Sequence, residues 1–249
     1  MKRNQPIAGI VLLLVAFPLM AENAIEDDIE LPFGQSYDVY TGVSYKQNWI
    51  PAKPQWDQLL VNTQPGFDVY FGWRFHSHFA GEFGYEWTAN KPLSTVVNPN
   101  GSLLGATNNS NSAVTLTGKV RFKTGHADLN AFVPFSVASL GWEIAPEWIL
   151  SVGIGGTKPS IKINGGPLND TTEPYISQFS SIQGRSKAML RAGLGVQSII
   201  IEDVGLRAIW RYENASVLRA RGTEFSQNTA TEQMFRNGQS ITIGLFVKF

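Results

Sequence analysis

The chain has 249 residues, 16% of them charged and 12% aromatic, with 24 glycines and no cysteine. Its 20 basic residues balance 20 acidic ones, which leaves no electropositive footprint for nucleic acid. The missing thiols exclude disulfide scaffolds, thiol catalysis and Cys-ligated clusters, and low charge with abundant glycine and aromatics favours many short strands over helices.

The first residues read as an address. Lys2 and Arg3 precede an apolar run over 7–17, and Pro18, Leu19, Met20 and Ala21 lead to acidic Glu22. A basic start, a short greasy stretch and a small terminal residue predict a secretory signal peptide over 1–21, too short to span a membrane. A lead over 22–35 and a single domain over 36–249 are expected to follow, outside the cytoplasm.

Beyond the signal, apolar and polar residues alternate. Val39, Val43 and Tyr45 interleave with Asp38, Ser44 and Lys46; Phe67, Val69, Phe71, Trp73 and Phe75 interleave with Asp68, Tyr70, Gly72 and Arg74. Successive strand side chains point to opposite faces, so each segment has one greasy face and one face of glycine and charge. The pattern continues over 79–88, 147–157, 185–197, 204–213 and 238–249. Each run approximates the ten residues that a tilted membrane strand needs.

The stretch 113–136 breaks the rule. Val114, Leu116, Val120 and Phe122 keep even phase, whereas Leu129, Ala131, Val133 and Phe135 keep odd phase. Two strands here would give an odd total, which places the barrel ends on opposite sides of a membrane. One long strand with a bulge near Gly125 is the expectation, its Lys119, Arg121 and Lys123 half standing above the bilayer.

The gaps between the eight segments alternate long and short, as in bacterial outer-membrane barrels. The predicted fold is therefore all-β, a transmembrane antiparallel up-and-down barrel of eight strands; a further strand hidden in a loop would make ten. Trp73, Trp87, Trp148, Trp210, Tyr85 and Tyr212 lie toward strand ends, where interfacial girdles sit. A soluble lipocalin-like barrel, with the apolar face inward, is the alternative.

At the C-terminus, Phe249 follows Val247, Leu245, Ile243 and Ile241. This strand resembles the last strand of outer-membrane β-barrel proteins, and the whole mature chain looks like the small eight-stranded barrels of the OmpA transmembrane-domain and OmpX-like kind. The resemblance implies a bacterial outer-membrane location and an assembly signal at Phe249, Val247 and Leu245, read by the barrel-assembly machinery. Outer-membrane lipids and lipopolysaccharide are the implied surroundings, with an external ligand or host surface as a further partner. No cofactor or metal is implied.

The constellation that carries chemistry is the inward phase. Arg74, Glu82, Glu86, Arg191, Arg207 and Arg211 all take it, and charges sealed in a narrow lumen must pair. A plug is the first reading of this cluster and a gated ion path the second, because eight strands leave an interior just wide enough for side chains. His76, His78 and His126 have no convincing nucleophile in sequence reach, which argues against an enzyme. In the connections, Trp49, Trp56, Leu59, Leu60 and Val61 make the first loop apolar, either an exposed binding patch or a cap on the barrel mouth. Arg219, Arg221 and Arg236 offer phosphate contacts in the last loop. The leading function is structural or surface-interacting, displaying long loops; a narrow pore and a lipid-modifying enzyme are the alternatives.

Overall fold

The computed structural model describes residues 38–89, 91–135, 146–165, 175, 179, 182–221 and 232–249. The signal peptide and lead expected over 1–35 lie outside them. Eight long strands run up and down: β1 Asp38–Trp49, β2 Thr63–His76, β3 Phe79–Thr88, β4 Val114–Pro134, β5 Pro146–Gly165, β6 Lys187–Ile201, β7 Val204–Glu213 and β8 Gly238–Lys248. Each pairs antiparallel with the next, and β8 returns to β1 from Tyr40–Lys248 to Trp49–Gln239. The eight-strand sheet closes on itself, so each of these strands has a hydrogen-bonded neighbour on both sides.

The faces are inverted relative to a soluble barrel. Along β2, Phe67, Val69, Phe71 and Trp73 are 39–50% exposed, whereas Asp68, Tyr70 and Arg74 are at most 5% exposed. Leu190 and Leu194 on β6, Leu206 and Trp210 on β7, and Ile243 and Leu245 on β8 also stand on the outside. This overturns the lipocalin-like alternative. A continuous apolar belt of this extent is stable only against lipid.

The phase change in β4 has a different cause from the one the sequence suggested. β4 pairs with β5 one residue for one from Leu116–Gly165 to Pro134–Glu147, and with β3 from Phe79–Ala131 to Trp87–Lys123, without a bulge at Gly125. Even positions face inward from Val114 through Asn130. What changes is the surroundings on both sides at once. Near Thr124 the interior passes from apolar (Val114, Leu116, Val120, Phe122) to polar (Thr124, His126, Asp128, Asn130), while the exterior passes from Lys119, Arg121 and Lys123 to Leu129. The switch marks the edge of the apolar belt. Beyond it β4 and β5 continue together, and the short strand Lys91–Val97 pairs with β4 from Lys91–Val120 to Val97–Val114.

Above that level the loops form an ordinary hydrophobic core. Trp56, Leu59 and Leu60 from the first connection, Val97 and Leu103 from the second, Phe179 and Ile182 from the third, and Leu218, Met234 and Phe235 from the fourth pack on the inner face of β4 and β5. The first loop is thus a cap: Trp56, Leu59 and Leu60 are 0–2% exposed, which overturns the exposed-patch reading. Gly118 makes room for it, since a Cβ there would stand 2.1 Å from the Leu59 carbonyl oxygen. Backbone bonds tie the loops together. Lys53 N donates to Met234 O and Arg236 N to Pro51 O, each at 2.8 Å, and Gln183–Arg185, Arg219–Arg221 and Glu232–Gln233 form a small sheet between the third and fourth connections.

Candidate functional site

Two layers of charge cross the interior beneath this head. The layer toward the short turns is one connected network. Arg74 donates to both carboxylate oxygens of Glu147 at 2.8 and 3.2 Å, Gln197 Nε2 donates to Glu147 at 2.9 Å, and Arg207 donates to Gln197 Oε1 at 2.9 and 3.0 Å. Arg207 also pairs with Glu82, which accepts from Asn130. Six strands contribute to this bar, and two guanidinium groups meet two carboxylates.

Aromatic rings complete the layer. The Arg207 guanidinium carbon lies 4.7 Å from the Tyr70 ring centre and 5.3 Å from that of Tyr40, and Arg74 lies 4.5 Å from Phe132. Both tyrosine rings have a glycine as neighbour: a Cβ at Gly72 would meet Tyr40 at 2.1 Å and one at Gly42 would meet Tyr70 at 2.4 Å. Large against small is how an eight-stranded interior fills without a void.

The layer nearer the loops joins Lys46, Glu86, Arg191, Asp128, His126 and Asp68. Lys46 Nζ donates to Glu86 at 2.6 Å and to Glu213 at 2.5 Å; Arg191 Nη2 lies 2.6 Å from the other Glu86 oxygen and its Nε 3.3 Å from Asp128. Arg211 approaches Asp128 at 3.8 Å and donates to Thr242 Oγ1 at 3.1 Å. The two ring nitrogens of His126 face Asp68 at 3.0 Å and Asp128 at 3.1 Å. Three cations and the imidazole of His126 therefore meet four carboxylates in this layer.

All six residues named from strand phase, Arg74, Glu82, Glu86, Arg191, Arg207 and Arg211, lie inside and at most 4% exposed. They divide between the two layers rather than forming one cluster. Lys46, His126, Asp128 and Glu147, which were not named as members of the charge cluster, pair with them directly, and Asp68 and Glu213 extend the network through His126 and Lys46. Asp68, Glu86 and His126 bring one ligand atom each within 4.8 Å of one another. Lys46 and Arg191 already occupy Glu86 there, and a buried carboxylate held by two cations is a poor metal ligand. At the surface, the His76 and His78 rings lie 5.7 Å apart and tilted at the turn between β2 and β3, with Ser77 Oγ 2.9 Å from His78 Nδ1.

Aromatic rows bound the belt at both ends. Tyr45, Phe67 and Trp87 follow one another at 6.1 Å between ring centres on the loop side, and Trp73–Phe75 and Phe135–Trp148 stand at 5.8 and 5.0 Å on the turn side. A closed, even-stranded antiparallel barrel with an apolar belt between aromatic girdles is the build of bacterial outer-membrane proteins. The chain is a barrel of that kind.

No protein-family model matches the chain, and no curated protein does. Among solved structures it is similar in fold to the outer membrane protein OprG from Pseudomonas aeruginosa, with 12% identity, 86% of this chain and 97% of that chain covered, and a TM-score of 0.49. It is also similar to Ail, the attachment invasion locus protein of Yersinia pestis, solved with the heparin analogue sucrose octasulfate (12% identity, 86% and 99% covered, TM-score 0.41). Neisserial surface protein A is a third (10% identity, 86% and 97% covered, TM-score 0.40).

Proposed function

We propose that the protein is a non-conducting barrel of the bacterial outer membrane that carries a folded loop head at the cell surface, with a structural or surface-interacting role. One observation supports this reading above the others: the interior is filled at three successive levels, by the Arg74–Glu82 network, the Lys46–Asp128 network and the apolar roof of Trp56, Leu59, Leu60 and Phe235. Opening a path would break buried ion pairs at two levels, at roughly 3–5 kcal/mol for each partner left uncompensated. In this reading the loop head is the part offered to an external ligand or host surface. The terminal strand carries the assembly signal for the barrel-assembly machinery, with Phe249 76% exposed beside Val247 and Leu245 on the lipid face.

Orientation is the testable part. The chain has no cysteine, so single cysteines report cleanly. Asn109→Cys, in the loop head, is expected to react with a membrane-impermeant maleimide on intact cells. Asp203→Cys, in the tight turn between β6 and β7, is expected to react only after the outer membrane is opened. The reverse pattern would invert the barrel and remove the display role.

A further inference from the structure

The exterior of β4 and β5 carries a cation ladder that its folded partners do not explain. Lys119 stands directly opposite Lys162 and Lys123 opposite Lys158, with Arg121 between them opposite Ser160. All five cations are exposed or half-exposed on the outer face, and none has an acidic partner among the described residues. Like charges placed directly across a sheet destabilise it. The ladder is therefore a set of charges that no acidic side chain among the described residues neutralises.

Its position says what brings them. Two residues further along each strand, on the same face, Lys123 and Lys158 give way to the pair Gly125 and Gly156. Cβ atoms built there would meet nothing closer than 3.8 Å, so this is an opening in the wall and not a crowded contact. The opening belongs to a shallow trough of about 640 Å³ with Phe83, Ala127, Ile154 and Ala188 along it and Ser186 and Lys187 also in its lining. These residues lie on the lipid side of the level where the β4 exterior turns apolar. A cation pair at headgroup height with an apolar trough beneath it matches a molecule that has an anionic head and a hydrocarbon tail.

We propose that Lys123 and Lys158, supported by Lys119, Arg121 and Lys162, bind the phosphate of an acylated outer-leaflet lipid whose chain lies in the Gly125–Gly156 trough. That the leaflet is the outer one rests on the orientation proposed above; the phosphate and chain contacts do not. Lysine binds phosphate as a mobile point charge and arginine as a planar fork, and the ladder holds both.

The test is native mass spectrometry of the full-length refolded barrel released from micelles, with bis-phosphorylated lipid A and its dephosphorylated form as probes. Wild type is expected to retain the phosphorylated probe and to release the dephosphorylated one. Lys123→Ala with Lys158→Ala should weaken retention roughly thirtyfold, the effect of two surface cations. Without lipid this variant should melt no lower than wild type, since the change removes a like-charge pair. Gly125→Leu, which fills the trough but keeps every charge, should weaken lipid A and leave a sulfated oligosaccharide unaffected. Equal retention of lipid A by both variants would overturn the site. So would a sulfated oligosaccharide that depends on the lysines while Gly125→Leu changes nothing, because the ladder would then serve a glycan. Binding in micelles does not depend on the direction of insertion, so these results and the labelling of Asn109→Cys fail independently.

Discussion

Glu82 and Glu86 are the residues on which the interior turns. Glu86 stands between Lys46 and Arg191 at 2.6 Å each, and Glu82 faces Arg207. Replacing both by Gln keeps the volume but leaves Arg207 without its carboxylate and takes one of two carboxylates each from Lys46, which keeps Glu213, and Arg191, which keeps Asp128, at a cost of several kcal/mol. The expected outcome is a barrel that still inserts but melts well below the parent, read by circular dichroism of the detergent-refolded protein; an unchanged melting temperature would remove the two layers from the stability account. Strand phase alone assigns these carboxylates to one face, because the period of two leaves no choice once a neighbouring Phe or Tyr is assigned to lipid. It does not give their partners. Phase puts Lys46 and Glu213 on the polar face without saying which carboxylate or cation each meets across the lumen, and Asp128 and His126 follow a position at which a bulge was expected. With the phase broken at Gly125, nothing in the sequence connects Asp128 to the interior.

At the scale of the strand, the same period of two carries different chemistry at different depths. On β4 an even residue is a core valine at 114 and an ion-paired aspartate at 128, because the interior changes from apolar roof to charged lumen along one unbroken ladder. A single-phase rule therefore reads a strand that crosses an interface as a bulge. The eight-strand count and the long–short alternation of connections were legible because they depend on spacing. The extension of β5 to Gly165 was not, since it lies beyond the membrane, where apolar alternation no longer marks the outer face. Inside the belt the rule is strict. Phe71, 50% exposed in the middle of β2, stands on the outer apolar face, and Phe71→Lys should cost about 2–4 kcal/mol of barrel stability at that depth. Denaturant titration into and out of phospholipid bilayers measures it; a change near zero would mean that β2 presents this face to water or to protein.

For the whole molecule, inverted barrel and ordinary head are two solutions to one burial problem. Within the bilayer, lipid covers the apolar faces and the polar side chains must satisfy one another inside. Above it, water surrounds the chain, and the same strands turn apolar residues inward to meet Trp56, Leu59 and Phe235 from the loops. In the reading proposed above, a roof and two ion-paired layers in series close the interior to water. The most direct test is single-channel recording of the refolded wild-type protein in planar lipid bilayers. A closed interior predicts a flat baseline with the folded barrel demonstrably inserted, whereas stable, repeated openings of uniform conductance would contradict it.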